Sequence, residues 1–340
     1  MTGIFLAAFS YAAALMGAGF ASGQETLMFF AVFSHYGAVG IVIASMIIGA
    51  FGGIVSECAL RYDRGYNELT GELLPCRLRQ GIDVLTFAFS ICTLAVMCAC
   101  FGEIAGMLFG IKPVFGALAL AALTAAVLLR GKKSTVIINS AVGAVIFVAA
   151  AAVCLYLLGY REHQSFAPLN AAVSGVSYAG YNLITAGAVL TSGRIFLKKR
   201  GEGYLTGIVS GIMIFILLTL MWAIISVYYG KINLGELPML TLTLRESRAL
   251  ALCYSLIMSA AVFTTAVSNG LCATEYARVY IGQKRAVVLC AALGLILSGT
   301  GFSRLIDTAY RYCGIAGIVI AVAVMTMMAK KIKKSEKQRF

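Results

Sequence analysis

Charge is scarce in this chain of 340 residues: only 12% are Asp, Glu, Lys or Arg, where soluble domains carry roughly a quarter. That poverty excludes an ordinary water-soluble globule. Proline is nearly missing too. The four present, Pro75, Pro113, Pro168 and Pro238, fall at expected helix ends or in loops, so no proline kinks an apolar segment. The two histidines, His35 and His163, read as solvated residues of outer loops. The ten cysteines form no CxxC pair and no Cys/His spacing suited to zinc, and read as packing residues. No HExxH, GxSxG or P-loop pattern occurs, and the longest loops, around 61–80 and 230–247, are too short for a catalytic domain. An enzyme is not expected.

What the chain has instead is apolar length. Hydrophobic residues make up 61% and the mean hydropathy is +0.92. A helix needs about 20 apolar residues to cross a bilayer. Stretches of that order recur ten times, at roughly 4–30, 36–60, 82–110, 113–130, 134–159, 168–193, 203–229, 248–278, 285–302 and 305–329. The class is an all-α integral membrane protein. The first stretch lacks a basic leader and runs too long to be a cleaved signal peptide, so it is expected to be retained.

The net charge of +13 does not point to nucleic acid, because its placement follows the positive-inside rule. Alternate loops hold Arg61, Arg64, Arg77 and Arg79; Arg130, Lys132 and Lys133; Arg194, Lys198, Lys199 and Arg200; Arg278, Lys284 and Arg285; and a basic tail over 330–340 adds six more. That is twenty cations on one side against seven on the other. Both termini are expected in the cytoplasm, with an even number of spans and the lipid bilayer as the principal partner. Contact of the tail with anionic lipid is a modest addition.

The sequence also repeats itself. An offset of 158 residues lays "AALMGAGFASGQ" (13–24) over "AAVSGVSYAGYN" (171–182), with Ala13, Ala14, Gly17 and Ala21 meeting Ala171, Ala172, Gly175 and Ala179. Two five-helix halves, about 1–159 and 165–329, are therefore expected within one transmembrane domain spanning 1–340. An odd number of spans per half makes the repeat inverted. Both windows also interrupt the apolar pattern. Gly17, Gly19 and Gly23, and in the second window Gly175 and Gly180, each lower helix preference by about 1 kcal/mol relative to alanine. Freed backbone at membrane depth is tolerated only where it lines a cavity or is buried in protein. Unwound segments in helices 1 and 6, facing a polar ligand, are expected. A nucleotide-binding glycine loop is excluded because no strand precedes it and the third glycine comes one residue late. Close packing through small residues, which Gly19 and Gly23 would fit, is the competing reading, but it leaves Gln24 and Glu25 unexplained.

Two inverted five-helix repeats with discontinuous first and sixth helices resemble the LeuT-fold transporters of the amino acid/polyamine/organocation superfamily, and "GAGFASGQE" resembles the bacterial YkvI-type membrane proteins. The resemblance to the fold covers essentially the whole chain. It implies a transporter in the bacterial cytoplasmic membrane, working by alternating access on a small-molecule substrate, an amino acid or related zwitterion. "SAAVFTTAVSNG" (259–270) in helix 8 matches the pattern of the second sodium site of that fold. The match implies sodium held by the carbonyls of Gly17, Phe20 and Ala261 and the hydroxyls of Thr264 and Thr265. A threonine in such a helix ordinarily bonds back to the preceding turn, which is the competing reading. Some proton-coupled relatives carry a helix-5 lysine instead of this ion, and 134–159 contains none. No cofactor is expected beyond sodium as coupling ion.

The same resemblance puts substrate against Ala18, Gly19, Ser22, Gly23 and Gln24 of helix 1 and Ser177, Tyr178, Gly180, Tyr181 and Asn182 of helix 6. A helix N-terminus near Ser22 and Gly23 would suit a carboxylate. Glu25 and Glu103 are acids within spans and hence functional candidates. Three roles for Glu25 stay open: binding a substrate amine, carrying a coupled proton, or closing a gate with Arg304 or Arg311. Asp307 is placed to pair with either arginine, one turn away. Glu57 and Glu275, near cytoplasmic helix ends, are expected solvated or paired with loop arginines. A ligand sensor on the same fold, dependent on protein partners not identified by the sequence, is the alternative function. A channel explains the paired interruptions less well.

Overall fold

The computed structural model describes the backbone of residues 2–130, 132–157, 168–300 and 302–337; the side chains of Leu78, 132–136, 138–140, 168, 302–309, 311–312 and 335–337 lie outside the description. Helices account for almost all of it. The first apolar stretch is divided into α1 (Thr2–Leu15), α2 (Ala18–Ser22) and α3 (Gln24–Phe29), and α4 (Gly37–Tyr62) follows. A short amphipathic helix α5 (Tyr66–Leu73) leads into α6 (Cys76–Phe109), α7 (Pro113–Leu129) and α8 (Lys132–Tyr156). The remainder holds α9 (Pro168–Ser192), α10 (Glu202–Tyr228), a second short amphipathic helix α11 (Pro238–Glu246), α12 (Arg248–Ile281), α13 (Gln283–Ser298) and α14 (Phe302–Lys337). Pro113 and Pro238 stand at first helical positions and Pro75 at an N-cap, where a missing N–H costs nothing.

Among the described residues, five helices are long and apolar enough to cross a membrane: α4, the 79–109 part of α6, α10, α12 and the 313–334 part of α14. Shorter apolar segments of 10–17 residues include α1 and α7. Packing follows a two-fold pattern. α1 lies against α8 as α9 lies against α14; α6 contacts α7 as α12 contacts α13; and α4 pairs with its counterpart α10. The short helices α5 and α11 occupy corresponding places in the two series, inside segments the sequence reads as plain loops.

Hydrophobic attraction is weak between helices in lipid, so close approach through small residues matters more. The α4–α10 contact is built that way: a Cβ on Gly207 would overlap the backbone of Gly49 and Gly53, and one on Gly211 would come 3.0 Å from Ser45 O. The same device corrects the expectation for helix 6. α9 is one continuous helix, not a broken one. Its Gly175 abuts the Gly40 carbonyl of α4, and Gly180 abuts Gly314 of α14. Both are contact points at which a methyl group would collide with a neighbouring backbone, so they let helices touch without unwinding either.

Both ends of the described chain lie at the basic end of the molecule. Gly3 abuts Phe196, and Lys331 pairs with Glu72 while its carbonyl accepts from the Tyr62 hydroxyl. α14 continues through most of the basic stretch that the sequence reads as a tail, since Lys, Glu and Gln favour helix and neither Gly nor Pro interrupts after Gly317. Glu57 finds its cation one turn on, at Arg61 (2.7 Å), and also accepts from the N–H groups of Gly201 and Gly203, tying α4 to the start of α10. Glu275 likewise pairs with Arg278 at 3.1 Å.

Gly207→Ala is expected to destabilise the protein by about 1–3 kcal/mol through overpacking. Gly81→Ala, in α6 with open space around it, is expected to be neutral or stabilising by up to about 1 kcal/mol. Thermal unfolding in detergent checks the pair; equal effects would remove the packing role assigned to Gly207.

Candidate functional site

The interruption in the first apolar stretch is the structural centre of the site. α1 ends at Leu15, Gly17 adopts an extended conformation, and α2 makes little more than one turn before Gly23, at φ 83°, redirects the chain into α3. Only glycine adopts that left-handed backbone without strain. The freed groups are satisfied from neighbouring helices. The Ala18 N–H donates to Met97 Sδ on α6 at 3.3 Å, and the Tyr254 hydroxyl on α12 donates to Ala21 O at 2.6 Å. Ser22 Oγ accepts from the Gln24 N–H and donates to Gly19 O.

The α12 threonines meet this interruption. Thr265 Oγ1 donates to Ala13 O at 3.2 Å and stands 3.5 Å from Ala14 O. Thr264 Oγ1 bonds back to Ala261 O at 2.9 Å and lies 3.4 Å from Ala13 O. The carbonyls beside the hydroxyls are thus those of Ala13 and Ala14, at the open end of α1, and not those of Gly17 and Phe20. Gly17 O accepts from the Ala21 N–H and Phe20 O from the Gly23 N–H, so both serve the short turn of α2. Gly17 itself touches the pair through its missing side chain, with a Cβ there only 3.0 Å from Thr265 Cγ2.

Beside the threonines is a cavity of about 20 Å³, room for one or two water-sized groups. Its wall joins Gly17 and Glu25 from the interrupted segment, Phe89, Thr93 and Met97 from α6, Tyr181, Asn182 and Thr185 from α9, Thr265 and Asn269 from α12, and Tyr310 from α14. Glu25 is 3% exposed, with Gly19 packed against its carboxyl so closely that a Cβ would overlap Oε1. The hydroxyls of Tyr178 and Tyr181 stand next to that carboxyl and can donate to it.

Thr185 also borders a second, larger cavity of about 590 Å³. It runs from Ile184, Thr185 and Cys272 to the charged residues Arg64, Glu68, Arg79 and Arg194 at the basic end. Toward the opposite end the path is filled. Tyr178 packs against Phe30 and Phe29 at ring separations of 5.0 and 5.6 Å, and Tyr181 stacks on Tyr310 at 4.5 Å. Gly23 is covered by Ile225, Pro238 and Met239.

Of the residues singled out in the sequence as substrate contacts, Tyr181 and Asn182 line the small cavity. Ala18, Gly19, Ser22, Gly23, Gln24, Ser177, Tyr178 and Gly180 do not: Gly23 faces α10 and α11, and Ser177 and Gly180 face α14. Glu103 is away from it on α6, near Glu236. The side chains of Arg304, Asp307 and Arg311 lie outside the described residues, as does the segment bearing His163. Asn269 and Tyr310 were not visible as site residues in the sequence. Asn269 could have been found, since it follows Thr265 by four residues and so shares its helix face. Among the described residues no group of three or more His, Cys, Asp or Glu side chains is arranged to hold a metal ion.

No family model matches the chain. Over nearly its whole length it is similar to the membrane protein YkvI of Bacillus subtilis (strain 168), being 25% identical over 339 residues that cover 95% of this chain and 96% of that protein. Among solved structures, a Na+-coupled sialic acid symporter in a substrate-bound outward-open state matches with a TM-score of 0.65 at 12% identity, over 96% of this chain and 78% of the symporter. A manganese transporter of Eremococcus coleocola matches with a TM-score of 0.62 at 13% identity, over 96% and 74% of the two chains. The chain has the LeuT fold and is a membrane protein. At these identities the likeness is one of fold, and neighbours that handle an organic acid and a metal ion share it.

The arrangement of the two cavities predicts one-sided access. In a variant with the native cysteines replaced, Thr185→Cys is expected to react with a membrane-impermeant thiol reagent applied at the basic end and to be protected from the opposite end. Equal labelling from both ends would mean that the aromatic packing does not close the path.

Proposed function

We propose, on the premise of the shared LeuT fold, that this chain is a secondary active transporter which moves a small organic solute by alternating access and couples that movement to sodium. The observation that carries the proposal is the meeting of the interrupted first helix with the Thr264 and Thr265 hydroxyls, beside a small buried cavity that shares Thr185 with the larger cavity at the basic end. The hydroxyls and the Ala13, Ala14 and Ala261 carbonyls are hard, uncharged oxygen donors, a set that suits an alkali cation. A substrate in the small cavity would be within reach of both the ion and the moving parts. Rocking of the helices around this point would close the vestibule at the basic end and open the aromatic packing at the other.

An amino acid or related zwitterion is the substrate class implied by the superfamily resemblance, and Glu25 is the group that would receive its amine. The distribution of Lys and Arg supports insertion in the cytoplasmic membrane of a bacterium with the basic end inside. No catalytic step is assigned to any residue. Proton coupling is the second reading, favoured by one observation: Glu25 is a buried acid without a cationic partner among the described residues.

Sodium binding is tested by the unfolding midpoint of purified protein in sodium, potassium and choline chloride at equal ionic strength. A ligand that binds only the folded state, present at 100 times its Kd, stabilises it by about 2.7 kcal/mol. A sodium-specific rise is expected in the wild type and its loss in the double variant Thr264→Ala with Thr265→Ala. A midpoint indifferent to the cation in both proteins would sink sodium coupling and transfer the coupling role to Glu25.

A further inference from the structure

A groove of about 670 Å³ runs along the outer side of the α4–α10 contact, apart from the two cavities of the interior. Its floor is backbone: Gly49 and Gly53 of α4 and Gly211 of α10 carry no Cβ, so the two helices meet at the bottom of a furrow and not at a ridge. Its rims are Met46 on one side and Ile208 and Ile212 on the other, 68%, 57% and 54% exposed. Apart from the hydroxyls of Ser45 and Tyr204, no polar side chain borders it. The contacts along the floor fix its direction. Tyr204 lies against Gly53 and Gly211 against Ser45, so the groove begins within the first turn of α10 and follows that helix to Phe215. At about 1.5 Å per residue this is roughly 16 Å, the depth of one leaflet of a hydrocarbon core about 30 Å thick. The leaflet is the one at the basic end, where Lys198, Lys199 and Arg200 precede α10. Those three side chains are exposed, and none is within ion-pair distance of an acid among the described residues. Glu202, the acid that follows them, turns its carboxylate to the Lys198 and Lys199 N–H groups at 2.6 and 3.1 Å.

We propose that this groove binds one anionic phospholipid of the leaflet at the basic end, with an acyl chain along the glycine floor and the phosphate held by Lys198, Lys199 and Arg200. The proposal needs only that the chain is embedded in a bilayer and does not depend on the transport reading. A lipid tail gains little by leaving other tails for an apolar wall as such, since both are apolar. It gains where the wall is concave and more of its methylenes meet protein atoms at van der Waals distance. Gly49, Gly53 and Gly211 supply that concavity. The headgroup supplies the direction. Each Lys or Arg near the membrane surface attracts anionic lipid, and here three of them stand about one turn beyond the point where the tail enters. Tyr204, between the cations and the apolar floor, is an aromatic residue at the level that such rings favour. A second copy of this chain is a poorer occupant. A two-fold dimer through this face would set furrow against furrow and leave both floors uncovered.

The test uses the full-length protein, purified in detergent and stripped of lipid, with dioleoyl phosphatidylglycerol and dioleoyl phosphatidylcholine as probes, which share their tails and differ in headgroup charge. Native mass spectrometry counts the bound lipids and gives their affinities. One phosphatidylglycerol per chain is expected to bind about tenfold or more tightly than phosphatidylcholine. Ile208→Trp, which fills the groove from an exposed position, is expected to weaken that binding about tenfold or more; Met46→Trp does the same from the opposite rim, should the first variant fail to fold. Replacing Lys198, Lys199 and Arg200 together by Gln is expected to bring the two lipids to equal affinity, while the same change at Lys330, Lys333 and Lys334 of α14 leaves the preference intact. No bound phosphatidylglycerol, equal affinity of the two lipids for the wild type, unchanged binding in the groove-filling variants, or loss of the preference on neutralising α14 alone would each overturn the assignment. So would a dimer of the lipid-free protein that either tryptophan variant converts to monomer, since the face would then belong to a second copy.

Discussion

Everything in this structure depends on how an interrupted helix is made tolerable inside a bilayer. Between Leu15 and Gln24 the chain forgoes several helical hydrogen bonds in a medium that offers no water to replace them. The replacements come from two long helices. α12 supplies the Thr264, Thr265 and Tyr254 hydroxyls to the carbonyls of Ala13 and Ala21, and α6 supplies the Met97 sulfur to the Ala18 N–H. Those bonds oblige α6 and α12 to lie beside the gap, and the cavity forms where the three meet. Site and scaffold are consequently one arrangement: the residues that repair the interruption are neighbours of those that line the cavity.

Glycine performs two distinct physical tasks in reaching it. At Gly23 it permits a left-handed backbone course that other residues resist, and at Gly17 it leaves room for the Thr265 and Met97 side chains. At Gly40, Gly175, Gly180, Gly207 and Gly314 it permits contact, because the missing Cβ lets one helix backbone touch another. The first task produces a redirected, irregular backbone; the second produces tight crossings such as α4–α10 and α9–α14. The two halves of the chain therefore share a packing plan and differ at its centre, one with a divided leading helix and the other with a continuous one.

Charge is distributed on the same economy. At the basic end, arginines and lysines are set among acids, as in Arg64 and Lys331 with Glu72, Arg194 with Asp63 and Arg79 with Asp83. Exposed pairs of this kind contribute little to stability, but they surround the mouth of the larger cavity and set its local field. In the interior the balance changes. Glu25 is surrounded by the hydroxyls of Tyr178 and Tyr181 and by aromatic rings, so a cation brought to it would meet an attraction little screened by water. An acid in that setting is costly to keep unless a ligand or a proton uses it, which is why the proposals for solute and coupling both converge on it.

The sequence by itself determined the class of the molecule, the position of the first interruption and the acid beside it. Hydropathy, the scarcity of proline and the run of glycines near Gly17 act over a few neighbouring residues, so they can be read locally. It also led to the Thr264–Thr265 pair, though by likeness to a known fold and not from spacing alone. Tertiary structure decided the rest. Gly175 and Gly180 look in sequence like Gly17 and Gly23, and only the approach of Gly40 and Gly314 makes them points of contact in an unbroken helix. That Ala13 and Ala14, not Gly17 and Phe20, offer carbonyls to the threonines depends on where α1 actually stops and on the depth at which α12 passes. Asn269, Tyr181 and Glu25 come from three elements far apart in the chain and meet only where those elements converge, because the wall of a cavity is set by packing and not by any one residue.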